Sequence, residues 1–226
     1  DGSHSLLELA HQAKEMGYEY LGITDHSQSL RIAGGMSEEK LKTQIREIRK
    51  LNESFKDLQL LAGIEVDIKK DGSLDYGDNL LKQLDIVIAA VHSGFKMESG
   101  AMTERIVKAM QNQYVNIIAH PTGRVIGERE PYQVDMKRLV KEASDTGTFL
   151  ELNAYPDRLD LKDIHARMAK EKGVLIAVGT DAHNTMQLNL MFFGVATARR
   201  GWLEKKDVLN TRSLKKLQDK LNQKRR

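Results

Sequence analysis

The tetrapeptide Thr180-Asp-Ala-His183 sets a carboxylate and an imidazole two positions apart, just after the apolar run Val174-Leu-Ile-Ala-Val178 and Gly179. A short apolar run bounded by glycine reads as a strand buried on both faces, and positions i and i+2 of a strand face the same way. Asp181 and His183 are therefore expected side by side at the end of that strand. The pattern recurs along the chain. An apolar run at 20–24 ends in Asp25 and His26, and the run from Leu60 ends in Glu65. Residues 85–91 lead into His92, 115–119 lead into His120, and Phe149–Asn153 carries Glu151 and Asn153. Hard oxygen and borderline nitrogen donors without thiolate suit Mn2+, Zn2+ or Fe. His26, Glu65, His92, His120, Asp181 and His183 are more donors than one cation takes from protein. Two or three cations are expected, with Glu65 bridging a pair. Paired divalent cations clamp the attacking and leaving oxygens of a phosphoryl transfer, so phosphoester hydrolysis is the chemistry these residues suit.

An isolated histidine at a strand end is commonly structural, and the argument here rests on its repetition. Asp25 follows the opposite alternation from His26 and serves ligation or support equally well. Glu151 suits a supporting place behind the ligands. His11 and His165 fall inside predicted helices and do not fit the pattern, nor does His4. Arg31, Lys96, Arg124 and Arg158 lie just past strand ends, where phosphate would meet them; each is also an ordinary loop charge.

The elements that must position these residues alternate. Helices are predicted at 6–16 and from Ser37 through Leu51, with a short turn of helix at 79–84. Thr103 is expected to cap a helix through Gln113, and Asp135 to begin one that Gly147 stops. Asp160 is expected to cap 161–172, and a last helix starts at Ser213. Residues 121–131 read as a long loop on the active face. After His183 come 185–190 and an apolar stretch at 191–195. Six strands alternating with helices predict a parallel sheet or a closed barrel, whose site lies at the C-terminal ends of its strands.

Composition narrows the class. The 226 residues suffice for one α/β domain over 1–226, with 35 Lys+Arg against 32 Asp+Glu for a net charge of +3. The basic excess gathers at 199–226, which suits either an anionic partner or a solvated tail. The absence of cysteine excludes disulfides and thiolate metal sites, and fits a reducing cytoplasm. No run approaches the length of a membrane span, so a cytoplasmic location without a membrane partner is expected.

Taken together, Thr24-Asp-His26, Gly63-Ile-Glu65, His92-Ser93, His120-Pro121 and Thr180-Asp-Ala-His183 resemble the polymerase and histidinol phosphatase (PHP) family in order and type. Within it the likeness is to the C-terminal domain of bacterial family X DNA polymerases, through Asp1-Gly-Ser-His-Ser-Leu6, Arg31-Ile-Ala-Gly34, the stretch from Glu151 to Leu161, and Asp207-Val-Leu-Asn-Thr211. The resemblance implies a distorted (β/α)7 TIM-like barrel with a trinuclear centre. It implies one cation on Glu65 and Asp181 with an upstream His-x-His pair, a second on Glu65, His92 and His120, and a third on Asp1, His26 and His183. The family opens with that His-x-His strand, which does not occur in these residues, so the chain is expected to be a fragment lacking the first strand. The implied activity is Mn2+-dependent 3′–5′ exonuclease and related processing of DNA 3′ ends, beside an upstream polymerase domain of the same parent chain. Glu65, Asp181 and His120 are its expected catalytic residues, and Arg31, Lys96, Arg124 and Arg158 its contacts to substrate. The alternatives are a phosphatase of small phosphomonoesters such as histidinol phosphate, and a non-catalytic domain that positions a polymerase.

Overall fold

The structure, a computed structural model, describes residues 2–225. Strands β1 (Tyr20–Ile23), β2 (Gln59–Asp67), β3 (Ile86–Ala90), β4 (Ile117–Ile118), β5 (Phe149–Asn153) and β6 (Ile176–Gly179) form one sheet, parallel throughout and ordered as in the chain. The register sets Gly63 beside Ile86, Ile88 beside Ile117, and Leu150 beside Ile176. The sheet curls into a half-barrel, a TIM-like α/β architecture. The concave face gathers Leu61, Ile86, Ile117, Phe149 and Ala177 from five successive strands. By alternation, Gly63, Glu65 and Asp67 follow Leu61 on that face, His92 follows Ile86 and Ile88, and Glu151 and Asn153 follow Phe149. Each strand thus presents hydrocarbon at its N-terminal end and metal-binding chemistry at its C-terminal end.

Helices pack around the sheet, all but the last of them on its convex face. They are α1 (Leu6–Glu15), α2 (Glu38–Asn52), α3 (Asp78–Leu81), α4 (Ser99–Met110), α5 (Met136–Thr146), α6 (Asp163–Glu171), α7 (Met191–Arg200) and α8 (Leu214–Asn222). Ser5 and Glu8 form a reciprocal cap on α1, Ser37 caps α2, and Asp135 caps α5, which ends at Gly147 with φ 69. Leu41, Ile106, Met110, Leu139 and Ala166 from these helices pack on Ile64, Val66, Leu150 and Leu152 of the strands. Burying each large aliphatic side chain contributes about 1.5–3 kcal/mol. Helix α8 closes the barrel floor with Leu217 and Leu221. Among the described residues no helix is long and apolar enough to cross a membrane.

Two expected caps are not caps. Thr103 lies inside α4, which begins at Ser99, and its hydroxyl donates to Ser99 O while accepting the Asp135 amide, so it joins α4 to the start of α5. Asp160 is fully buried and accepts the Thr122 amide at 2.9 Å, while α6 starts at Asp163 after Lys162. The apolar stretch at 191–195 opens α7, which packs Gly194 against Val178 and Ala154 and leaves Phe192 exposed.

The free edge of β6 is already occupied. Asn210 accepts the Val178 amide at 3.0 Å and donates to the Val178 carbonyl at 2.9 Å, while Val208 pairs in parallel with Ile176.

Gly63 controls how closely β1, β2 and β3 approach below Glu65. A Cβ there would lie 2.6 Å from Ile86 Cγ2, 2.8 Å from Thr24 Cγ2 and 2.9 Å from Ile23 O. Gly63→Ala is expected to destabilise the fold by about 1–3 kcal/mol through overpacking. Urea denaturation checks this, and an unchanged midpoint would contradict it.

Candidate metal centre

Glu65 lies at the centre of the mouth. Its Oε1 is 3.0 Å from His120 Nε2 and 3.0 Å from His92 Nε2. Ligand atoms of His26, Glu65 and His92 all fall within 4.8 Å of one another. The His92 ring sits edge-on to both neighbours, with centroids 5.0 Å from His26 and 5.3 Å from His120. Four side chains, from β2 and from the turns after β1, β3 and β4, therefore lie together. Three imidazoles around one carboxylate match the donor chemistry of a divalent cation.

His120 reaches this cluster through an unusual backbone. Ile117 faces the concave side, so simple alternation would turn residue 120 away; its φ of 25 redirects the chain. Glu151, on β5, accepts the His120 amide at 2.6 Å and fixes that turn. Asp181 also has positive φ, at 51, because β6 has already ended at Gly179. The expected alternation of Asp181 with His183 is therefore replaced by a turn, in which His183 Nδ1 lies 2.8 Å from the Asp181 carbonyl. The Asp181 carboxylate instead accepts Asn153 Nδ2 at 3.0 Å and lies 3.4 Å from Arg158 Nε. Asp181 and His183 line the same cleft as His26, Glu65 and Glu151, a space of about 1100 Å³. Asp25 accepts from Gln44 Nε2 at 2.6 Å. Asp1 lies outside the described residues.

The basic residues divide. Arg158 reaches the mouth beside Asp181. Arg124 donates to the carbonyls of Arg158 and Leu159, and so holds the turn that carries Arg158. Arg31 and Lys96 are exposed at the rim. In the basic C-terminal segment, Lys224 is drawn inward to Met110 O, Val115 O and Thr148 Oγ1, and burial pulls its pKa down to about 8.

The electrostatics favour ionised Glu65. Burial pushes its carboxyl up, but hydrogen bonds from His120 and His92 outweigh burial and hold it well below 4.5. Burial pushes His92 down, yet its bonds to Asp67 and Glu65 raise its pKa to about 9. Burial lowers His26. Burial, with the charges of Asp181 and Glu65, raises Glu151 well above 4.5.

Two supporting residues escaped the sequence reading. Asp67 meets His92 Nδ1 at 2.5 Å, and its only signal is its place two residues beyond Glu65 on one strand. Arg105 is 2% exposed and donates to the carbonyls of Ile68, Lys69 and Ser93, tying the end of β2 to the segment after His92. Nothing in its helical position announces that.

A parallel half-barrel with imidazoles and carboxylates converging at the C-terminal ends of its strands defines an α/β protein with a candidate metal centre. The PHP domain family matches residues 1–155, and the chain belongs to that family. It is 48% identical over 215 residues to the DNA polymerase/3′–5′ exonuclease PolX of Bacillus subtilis, covering 95% of this chain and 38% of that protein. The chain thus spans well under half the length of this relative. A probable phosphatase of Thermoanaerobacter sp. (strain X514) is 29% identical over 232 residues, covering 98% of this chain and 89% of the relative. The crystal structure of a histidinol phosphate phosphatase from Lactococcus lactis, complexed with zinc, L-histidinol and phosphate, shares the fold with a TM-score of 0.62, 14% identity and 90% coverage of both chains.

Proposed function

We propose that this chain is a metal-dependent phosphodiesterase of DNA 3′ ends, a 3′–5′ exonuclease that uses Mn2+, with Zn2+ the alternative ion. The observation that carries this reading is Glu65 Oε1, which two imidazole nitrogens share at 3.0 Å each. His26, Glu65, His92 and His120 would hold cations, with Asp181, His183 and Asp1 completing a set of up to three. Such cations polarise a phosphoryl oxygen and activate water at neutral pH. The protein's own groups then bind and orient. Arg158, set against Asp181, brings positive charge to the non-bridging oxygens of a phosphodiester. Arg31 and Lys96 offer rim charges to the strand, and Arg124 keeps Arg158 in place. The cleft of about 1100 Å³ runs from His26, Glu65 and Glu151 at the mouth down to Leu61, Ile117 and Leu217, and its polar end is the part that would receive a terminal nucleotide. The 48% identity to PolX supports DNA as substrate and a polymerase domain in the same polypeptide as partner.

The second reading, a phosphatase of small phosphomonoesters, draws on the probable phosphatase that the chain matches over 89% of its length. One experiment separates them. The protein at its natural length, loaded with Mn2+, is offered a 3′-labelled oligonucleotide and histidinol phosphate. Wild type is expected to release nucleotides from the 3′ end, and His120→Ala to be at least about 100-fold slower, a loss of about 3 kcal/mol of transition-state stabilisation. Equal rates for the two proteins would end the proposal. Turnover of histidinol phosphate alone would install the second reading.

A further inference from the structure

We propose that Asp67 is a positioning residue that fixes the tautomer and aim of His92, so that Nε2 is the nitrogen presented to a cation shared with Glu65. The inference rests on the metal-centre reading above and adds a role for a residue outside the ligand set. Glu65 and Asp67 stand two apart on β2 and face the same way. The His92 ring spans them, with Nδ1 2.5 Å from Asp67 Oδ1 and Nε2 3.0 Å from Glu65 Oε1. An ionised carboxylate only accepts, and the closer of the two, Asp67 at 2.5 Å against Glu65 at 3.0 Å, takes the single proton of the neutral ring on Nδ1, which leaves the lone pair on Nε2. That is how a carboxylate behind a ligating imidazole selects the metal-binding nitrogen.

Asp67 is itself held in place. Its Oδ2 accepts from Ser29 Oγ, and its amide donates to the fully buried Ser27 Oγ at 2.9 Å. The Ser29 amide in turn donates to Asp75 Oδ2 at 2.8 Å. Ser27 and Ser29 belong to the loop that begins at His26. The aim of His92 and the placement of His26 therefore share one scaffold. Asp67 is not itself among the ligand atoms clustered around Glu65, because the His92 ring stands between the two carboxylates.

The test uses Asp67→Ala and Asp67→Asn with two readouts. Calorimetric Mn2+ binding is expected to weaken about 10–100-fold in Asp67→Ala, with native circular dichroism retained in EDTA and a thermal midpoint lowered by loss of the His92 pair. Asp67→Asn keeps an acceptor oxygen and is expected to fall between. In metal-free wild type, 15N shifts of the neutral His92 ring are expected to report a protonated Nδ1 and a bare Nε2, and Asp67→Ala to lose that preference. Undiminished Mn2+ affinity in Asp67→Ala, or a wild-type ring protonated on Nε2, would overturn the positioning role. A loss as large with Asn as with Ala in folded protein would overturn it too, since the charge itself would then be binding the cation. Failure of wild type to bind Mn2+ while the ring shifts hold would instead remove the metal-centre reading, and the inference with it.

Discussion

Replacing Glu65 with Gln is expected to reduce metal-dependent phosphodiester hydrolysis by about 1000-fold or more, about 4 kcal/mol of transition-state stabilisation. The reason is the sharing of one oxygen. Glu65 Oε1 faces both His92 and His120 at 3.0 Å, so any cation held there loses its common anionic ligand at once. Glutamine preserves the volume but offers a neutral amide. Its NH2 group would meet ring nitrogens that are donors or metal ligands. Because Asp67 still pairs with His92, the fold itself should survive. Calorimetry with Mn2+ and a parallel activity assay check this. Residual activity within about tenfold of wild type would remove Glu65 as the shared anchor.

The second large effect is on pH dependence, and it runs in opposite directions with and without metal. In the metal-free protein His92 has its pKa raised to about 9 from the ordinary 6.5, through its bonds to Asp67 and Glu65 against the cost of burial. A raised imidazole pKa stabilises the fold fully below the unfolded value and loses that contribution as pH climbs through the folded one. Stability in EDTA should therefore fall between about pH 6.5 and 9, by on the order of 3 kcal/mol. Glu151, whose carboxyl burial raises well above 4.5, acts with the same sign. Cation binding instead competes with the proton on His92, so affinity for Mn2+ should rise with pH across the same window. Thermal melts in EDTA at several pH values, beside calorimetric titrations, test both halves. Metal-free stability that is flat or rises from pH 6.5 to 9 would contradict the first half, and pH-independent affinity the second.

The strands and the cluster of candidate donors were legible because both depend on local pattern. Five of the six strands are near-continuous apolar runs, as a sheet buried on both faces requires, and each leads into a polar residue. Repetition of that ending brought His26, Glu65, His92 and His120 forward without any knowledge of their distances. What stayed hidden depends on tertiary partners. Asp67 is one carboxylate among many until the His92 ring is seen against it. Thr103 and Asp160 have the residue type of helix caps, but their polar atoms serve neighbouring segments, the Asp135 amide and the Thr122 amide. The inward turn of His120 comes from a left-handed φ that no spacing rule encodes. Lys224 counts as surface charge in the sequence, yet it is spent on carbonyls at the barrel floor.

Asn210 bears on how this molecule behaves in a crowd. An open sheet invites another chain to extend its ladder, the first step towards stacked, insoluble assemblies. Here the rim of β6 offers no vacant rung at Val178, since a side-chain amide imitates the strand that would otherwise be recruited. The β6 side of the half-barrel is thereby defended against self-association by one asparagine, with Val208 filling the rung beside Ile176.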